Sequence, residues 1–156
     1  MGLFGTSKAA RVSVDGLAQM VGNYFKRLKL DMESQQLDAA DGLGWWLTEG
    51  SVKVYIFALE DPSGPVVRIT APILHYPDDN RLAFFERLLE INRELSGCCL
   101  AVFQEVVLVS AQRSTLGLDQ EELNELIWNV SITADRLDDQ LASEFGAMPY
   151  NEDPNC

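Results

Sequence analysis

Two apolar, β-branched runs, SVKVYIFAL (residues 51–59) and PVVRITAPIL (65–74), are separated only by Glu60-Asp61-Pro62-Ser63-Gly64. Parallel strands need a crossover of a dozen or more residues, so a five-residue connection carrying proline and glycine restricts the pair to an antiparallel hairpin. LGWWLTE (43–49) stands just ahead of the first run, and together the three read as an antiparallel meander. A second hairpin is read from CCLAVF (98–103) and EVVLVSAQ (105–112), with Gln104-Glu105 as the tight connection. The polar stretch DMESQQLDAADG (31–42) reads as a connection without strand character.

Around these strands the hydrophobic period lengthens to that of a helix in three places. Val14, Leu17, Val21, Tyr24, Phe25 and Leu28 form one face, with Ser13 as the cap. Gly16 and Gly22 weaken that helix by up to ~1 kcal/mol each, so packing has to hold it. A second helix is expected in YPDDNRLAFFERLLEINRELSG (76–97), after Pro77 ends the strand, with Asp78 as cap and Gly97 as stop. A third follows the capping-box spacing Asp119/Glu122 and runs to about Glu144. The order helix, three strands, helix, two strands, long helix (α-βββ-α-ββ-α) predicts an α+β fold, an open antiparallel sheet covered by helices. The single domain is expected at 12–145, with 1–11 and 146–156 as flexible termini.

The chain has 156 residues, enough for one core, and 47% of them are hydrophobic. Its formal net charge of −12 repels phosphate backbones and anionic lipid, which argues against nucleic-acid and membrane-surface partners. The charge is uneven: Lys8, Arg11, Lys26, Arg27 and Lys29 face Asp15 alone near the start, whereas ten carboxylates face Arg136 from Ser114 onward. Such asymmetry pairs the first helix with the last, offers an acidic face to a basic partner, or, the plainer reading, provides solvated faces that keep the protein soluble. No run approaches the ~18 apolar residues of a membrane span, and the opening residues lack an apolar stretch of secretory length. With three cysteines, a reducing cytoplasm is the expected location. MGLFGT fits the loose acylation pattern at Gly2 and Thr6, a match short enough to arise by chance.

Catalytic groupings are sparse. Cys98 and Cys99 point to opposite faces of a strand, no CxxC occurs, and the other soft ligands, His75 and Cys156, are remote, so the pair reads as small residues entering a strand. His75 lies close to Asp78 and Asp79, the makings of a base with an orienting carboxylate, but no nucleophile elbow or phosphate loop accompanies it. No catalytic residue, metal or cofactor is expected.

Surplus apolar surface is the more informative signal. On the last helix Leu123, Ile127, Val130, Ala134, Leu137 and Leu141 form one stripe, while Trp128 and Ile132 point almost the opposite way. The second helix carries two lines, Leu82/Phe85/Leu89 and Phe84/Leu88/Ile91/Leu95, an arc wider than one sheet contact requires. Trp45 and Trp46 are adjacent on a strand, so one of them should leave the core.

FFERLLEINREL (84–95), followed by two strands and then LGLDQEELNELIWNVSITADRLDDQL (116–141), resembles the YbjN family, whose fold is that of the class I type III secretion chaperones, the Tir chaperone family included. Asn92 and the Leu118-Asp119-Glu122-Leu123 start of the last helix are the most family-like features. The resemblance implies a small, acidic, often dimeric protein that holds an extended client segment against hydrophobic patches. It also implies a dimer contact on the second helix at Phe84, Leu88 and Ile91. The expected function is thus a non-enzymatic, chaperone- or adaptor-like protein-binding module, homodimeric, that buries client side chains on Trp128, Ile132 and one of Trp45 or Trp46, with sheet edges able to add a strand. The alternative is a small-molecule-sensing regulatory domain with its ligand between the second helix and the sheet, against Phe85 and Tyr55.

Overall fold

The computed structural model describes residues 9–152; Gly2, Thr6 and Cys156 lie outside them. Helix α1 (Val14–Arg27) is followed by β1 (Gln36–Ala39), β2 (Gly42–Glu49), β3 (Val52–Leu59), β4 (Val66–His75), α2 (Arg81–Asn92), β5 (Cys99–Phe103), β6 (Val106–Ser114) and α3 (Gln120–Phe145). The strands form one six-stranded sheet in the order β1-β2-β3-β4-β6-β5. Each neighbouring pair is antiparallel.

β1 corrects the reading of residues 31–42 as a plain connection. Its four residues are polar apart from Leu37 and Ala39 and lack strand propensity, but the tight turn after Ala39 folds them back onto β2. An edge strand needs only one partner, which a sequence pattern does not display.

α1 and α3 cover one face of the sheet. Leu17, Val21, Tyr24 and Phe25 of α1 and the whole α3 stripe from Leu123 to Leu141 are buried against Val54, Ile56, Ala58, Ile69, Ala71, Val107 and Val109. The two helices are tied by the Gln120 amide, which donates to the Met20 carbonyl at 2.9 Å, so their contact is made by an amide rather than by the opposite charges at their ends. α2 sits at the β5 edge, not over the middle of the sheet. Asn92 joins the two there: its amide donates to the Leu100 carbonyl at 3.0 Å and its oxygen accepts from the Leu100 N–H at 2.6 Å.

Local chemistry sets the ends of the elements. Asp119 and Glu122 form the expected capping box, at 2.9 and 3.0 Å. Asp78 does not cap α2; that position belongs to Asn80, in the left-handed region at φ 57°, and Asp78 instead pairs with Arg81 at 2.9 Å. Gln104 and Glu105 both take positive φ, 47° and 69°, the requirement of a two-residue turn that matches strand twist. At the β2–β3 turn, Gly50 (φ 57°) lies so close to Asp135 of α3 that a side chain there would meet the carboxylate. Asp135 accepts from the Ser51 N–H at 2.8 Å and the Ser51 hydroxyl at 3.0 Å, latching the turn to the helix.

This latch makes stability pH-dependent. Hydrogen bonds from the Ser51 backbone, then its hydroxyl, lower the Asp135 pKa, and Arg113, then the Asp119 N–H, lower that of Glu122. A carboxylate depressed in the fold stabilises it at all pH values above its unfolded pKa of about 4, and that contribution is lost as pH falls through the folded value. The thermal midpoint is therefore expected to drop between about pH 4 and the lower folded values, with a shallower drop in Asp135→Asn. Parallel curves for the two chains would remove Asp135 from this account.

Candidate functional site: an uncovered sheet face

Alternation along β3 sends Val54, Ile56 and Ala58 into the core and Lys53, Tyr55, Phe57 and Leu59 to the other face. Cross-strand register extends that second face. Tyr55 stands opposite Trp46 and Thr70, Phe57 opposite Gly44 and Arg68, Leu108 opposite Pro72 and Ala101, and Phe103 opposite Val106. The Tyr55 and Phe57 rings are nearly parallel, with centroids 6.4 Å apart. Gly44 makes room for Phe57, since a Cβ at position 44 would lie 3.0 Å from its ring. Lys53 holds its ammonium 4.2 Å from the Trp46 ring centroid, and Arg68 donates to Gln112 at 2.8 Å.

Two shallow troughs run over this face. One, of about 350 Å³, lies among Tyr55, Phe57, Pro72, Phe103, Leu108 and Tyr150. The other, of about 500 Å³, continues past Phe57 to Leu59, Arg68, Ala101 and the β1–β2 turn. Strand and turn residues line both, Tyr150 of the C-terminal segment joins the first, and none of the described helices contributes. Phe103 is 62% exposed.

The residues singled out from sequence fall in different places. Trp46 belongs to the uncovered face. Trp45 does not: its register opposite Ile56 puts it in the core, 2% exposed, so it is not a contact residue. Phe84, Leu88 and Ile91 are also corrected. They are buried inside the protomer, where Phe84 meets the Phe85 and Phe145 rings edge-on, and the outward apolar groups of α2 are Leu82 and Leu89. Trp128 and Ile132 are exposed on α3, 50% and 41%, on the side away from the sheet.

The ligand pocket expected between α2 and the sheet is not formed by Phe85 and Tyr55. Phe85 packs against Tyr76, whereas Tyr55 faces away from the helices. His75 lies against Tyr150, ring centroids 5.7 Å apart, and Asp78 is engaged by Arg81. Cys99 is exposed, and the half-buried Cys98 thiol reaches Thr133 at 3.6 Å with its pKa raised chiefly by burial.

Reading for one amphipathic phase missed Phe57 and Leu108, and placed Tyr55 only in a pocket facing the second helix. The signal was present: VYIFAL is apolar in both phases, which a sheet with helices on only one face cannot hide.

None of the described helices lines this apolar, aromatic sheet face, and residues 17–153 match the family described as the T3SS (YopN, CesT) and YbjN peptide-binding chaperone 1, TY-Chap1. The chain belongs to this family. The TY-Chap1 match reaches past α3 and takes in the segment beyond it. Among solved structures, a chain of the ExsC–ExsE complex shares the TY-Chap1 chain's fold, with a TM-score of 0.61 at 16% identity over 82% of this chain and 95% of that one. No match is found among curated proteins.

Proposed function

We propose that this chain is a non-enzymatic, cytoplasmic chaperone or adaptor, homodimeric, that holds an extended segment of a partner protein across the sheet face between Trp46 and Phe103. Its family supports peptide binding, and the solved neighbour is itself a complex. The observation that carries the placement is the continuous band of Trp46, Tyr55, Phe57, Pro72, Leu108 and Phe103, with none of the described helices over it. Aromatic rings give large apolar contact at little entropic cost, and the troughs between them take alternate side chains of an extended peptide. Trp128 and Ile132, exposed on the opposite side, serve the second copy.

Two double variants separate these surfaces. Phe57→Asp/Leu108→Asp is expected to weaken binding of a segment selected from a displayed random-peptide library by on the order of 100-fold, with solution mass and helix content unchanged. Trp128→Glu/Ile132→Glu is expected to halve the mass and leave that binding intact. The reverse result would exchange the two assignments, and no effect from either would reject both.

A further inference from the structure

The segment after α3 is folded back along β4 and held there by a single antiparallel bridge. Gly146, at φ 63°, ends the helix, and residues 148–150 then pair antiparallel with the end of β4. The His75 N–H donates to the Met148 carbonyl at 2.9 Å, and the Tyr150 N–H donates to the Ile73 carbonyl at 3.0 Å. Pro149 stands opposite Leu74, between those two bonds, in the position where an antiparallel pair exchanges none, so its missing N–H costs the ladder nothing.

This slot opens next to Pro72. The β3–β4 pairing ends at Tyr55 opposite Thr70, and the register of β4 shifts between Pro72 and Leu74. Beyond that point the outer edge of Ile73–His75 has no β3 partner, and an unpaired edge takes up any extended chain of suitable register. Here the chain is the protein's own. Tyr150 projects into the trough with Tyr55, Phe57 and Phe103, and Glu152, two residues on, pairs with Lys53 at 2.6 Å. The same Lys53 lies over the Trp46 ring, so the tail reaches both the aromatic band and its cation.

We infer that residues 148–152 are a built-in occupant of the partner site, a tethered strand that holds the Ile73–His75 edge until a partner segment with an aromatic residue two positions before a carboxylate replaces it. The inference rests on the peptide-holding reading above. It specifies that partner: an extended segment whose aromatic ring enters the Tyr55/Phe103 trough and whose acid meets Lys53. A short tether presents its strand at an effective concentration on the order of millimolar, so the tail suppresses weak segments and yields to strong ones.

The test uses the full chain and its Tyr150→Ala/Glu152→Lys variant, with a fluorescein-labelled peptide of residues 147–152, Ala-Met-Pro-Tyr-Asn-Glu, as the probe. The variant is expected to bind the probe about 10-fold more tightly than the unsubstituted chain, as a tethered competitor predicts. Exchange of the His75 amide should quicken in the variant and slow again when probe is added. Unchanged His75 exchange, with library-selected segments binding both chains equally, overturns the tail's role and leaves the peptide-holding reading standing. Quickened exchange with no peptide bound by either chain overturns both. A doubled mass that is lost in the variant overturns the intramolecular strand in favour of one exchanged between copies.

Discussion

Truncating Phe84 to alanine is expected to destabilise the protein by about 3–5 kcal/mol, the usual cost of removing a fully buried phenylalanine. Phe84 is 0% exposed, and its ring meets Phe145 at 5.0 Å and Phe85 at 5.9 Å, both edge-on. It is the main peg between α2 and the end of α3, and the cavity left behind has rigid aromatic walls that cannot collapse to fill it. In a chain of this length the thermal midpoint should fall by on the order of 10 °C, with no change in solution mass. Leu82 and Leu89, exposed on the same helix, should tolerate alanine within about 0.5 kcal/mol. Calorimetry and light scattering on the three variants check this directly. A Phe84→Ala chain with its stability intact and its mass halved would restore the dimer contact that the family resemblance implied.

The same helix shows where sequence reading stops. Both apolar lines of α2 are visible in the spacing, but which line is buried depends on α2 sitting at the sheet edge beside the end of α3, and nothing local records that placement. The last helix was legible throughout, because its capping box and its stripe are both short-range patterns that the fold leaves undisturbed. The hairpins were legible for the same reason, down to the Gln104-Glu105 turn. The bare face was half legible. VYIFAL shows apolar residues in both phases, and only the layer count, one sheet with the described helices on a single side, turns that into half-buried aromatics on the second face. The tail was hidden by its composition. Pro149, three residues after Gly146, reads as a breaker, and its fitness for the β4 edge follows from a register that exists only after folding.

Asn92 is the case in which a residue marked by the family pattern proves to have a structural role that a single change can expose. Its side chain satisfies both the N–H and the carbonyl of Leu100 on the outer edge of β5, as a neighbouring strand would. Leu100 is itself 6% exposed, so water cannot replace those partners without the edge opening. Asn92→Leu keeps the volume and removes the amide, leaving two backbone groups unpaired at about 1–3 kcal/mol each, and a total loss of about 3 kcal/mol is expected. Because β5 carries Ala101 and Phe103 into the partner face, the loosened edge should also weaken binding of selected segments, unlike the loss at Phe84, which lies on the helical side. Exchange of the Leu100 amide reports the edge, and titration of a selected segment reports the face. An amide that exchanges no faster in Asn92→Leu would mean that α2 closes the β5 edge without its asparagine. If the amide is freed and the affinity holds, the aromatic face is kept in shape by the β6 pairing alone.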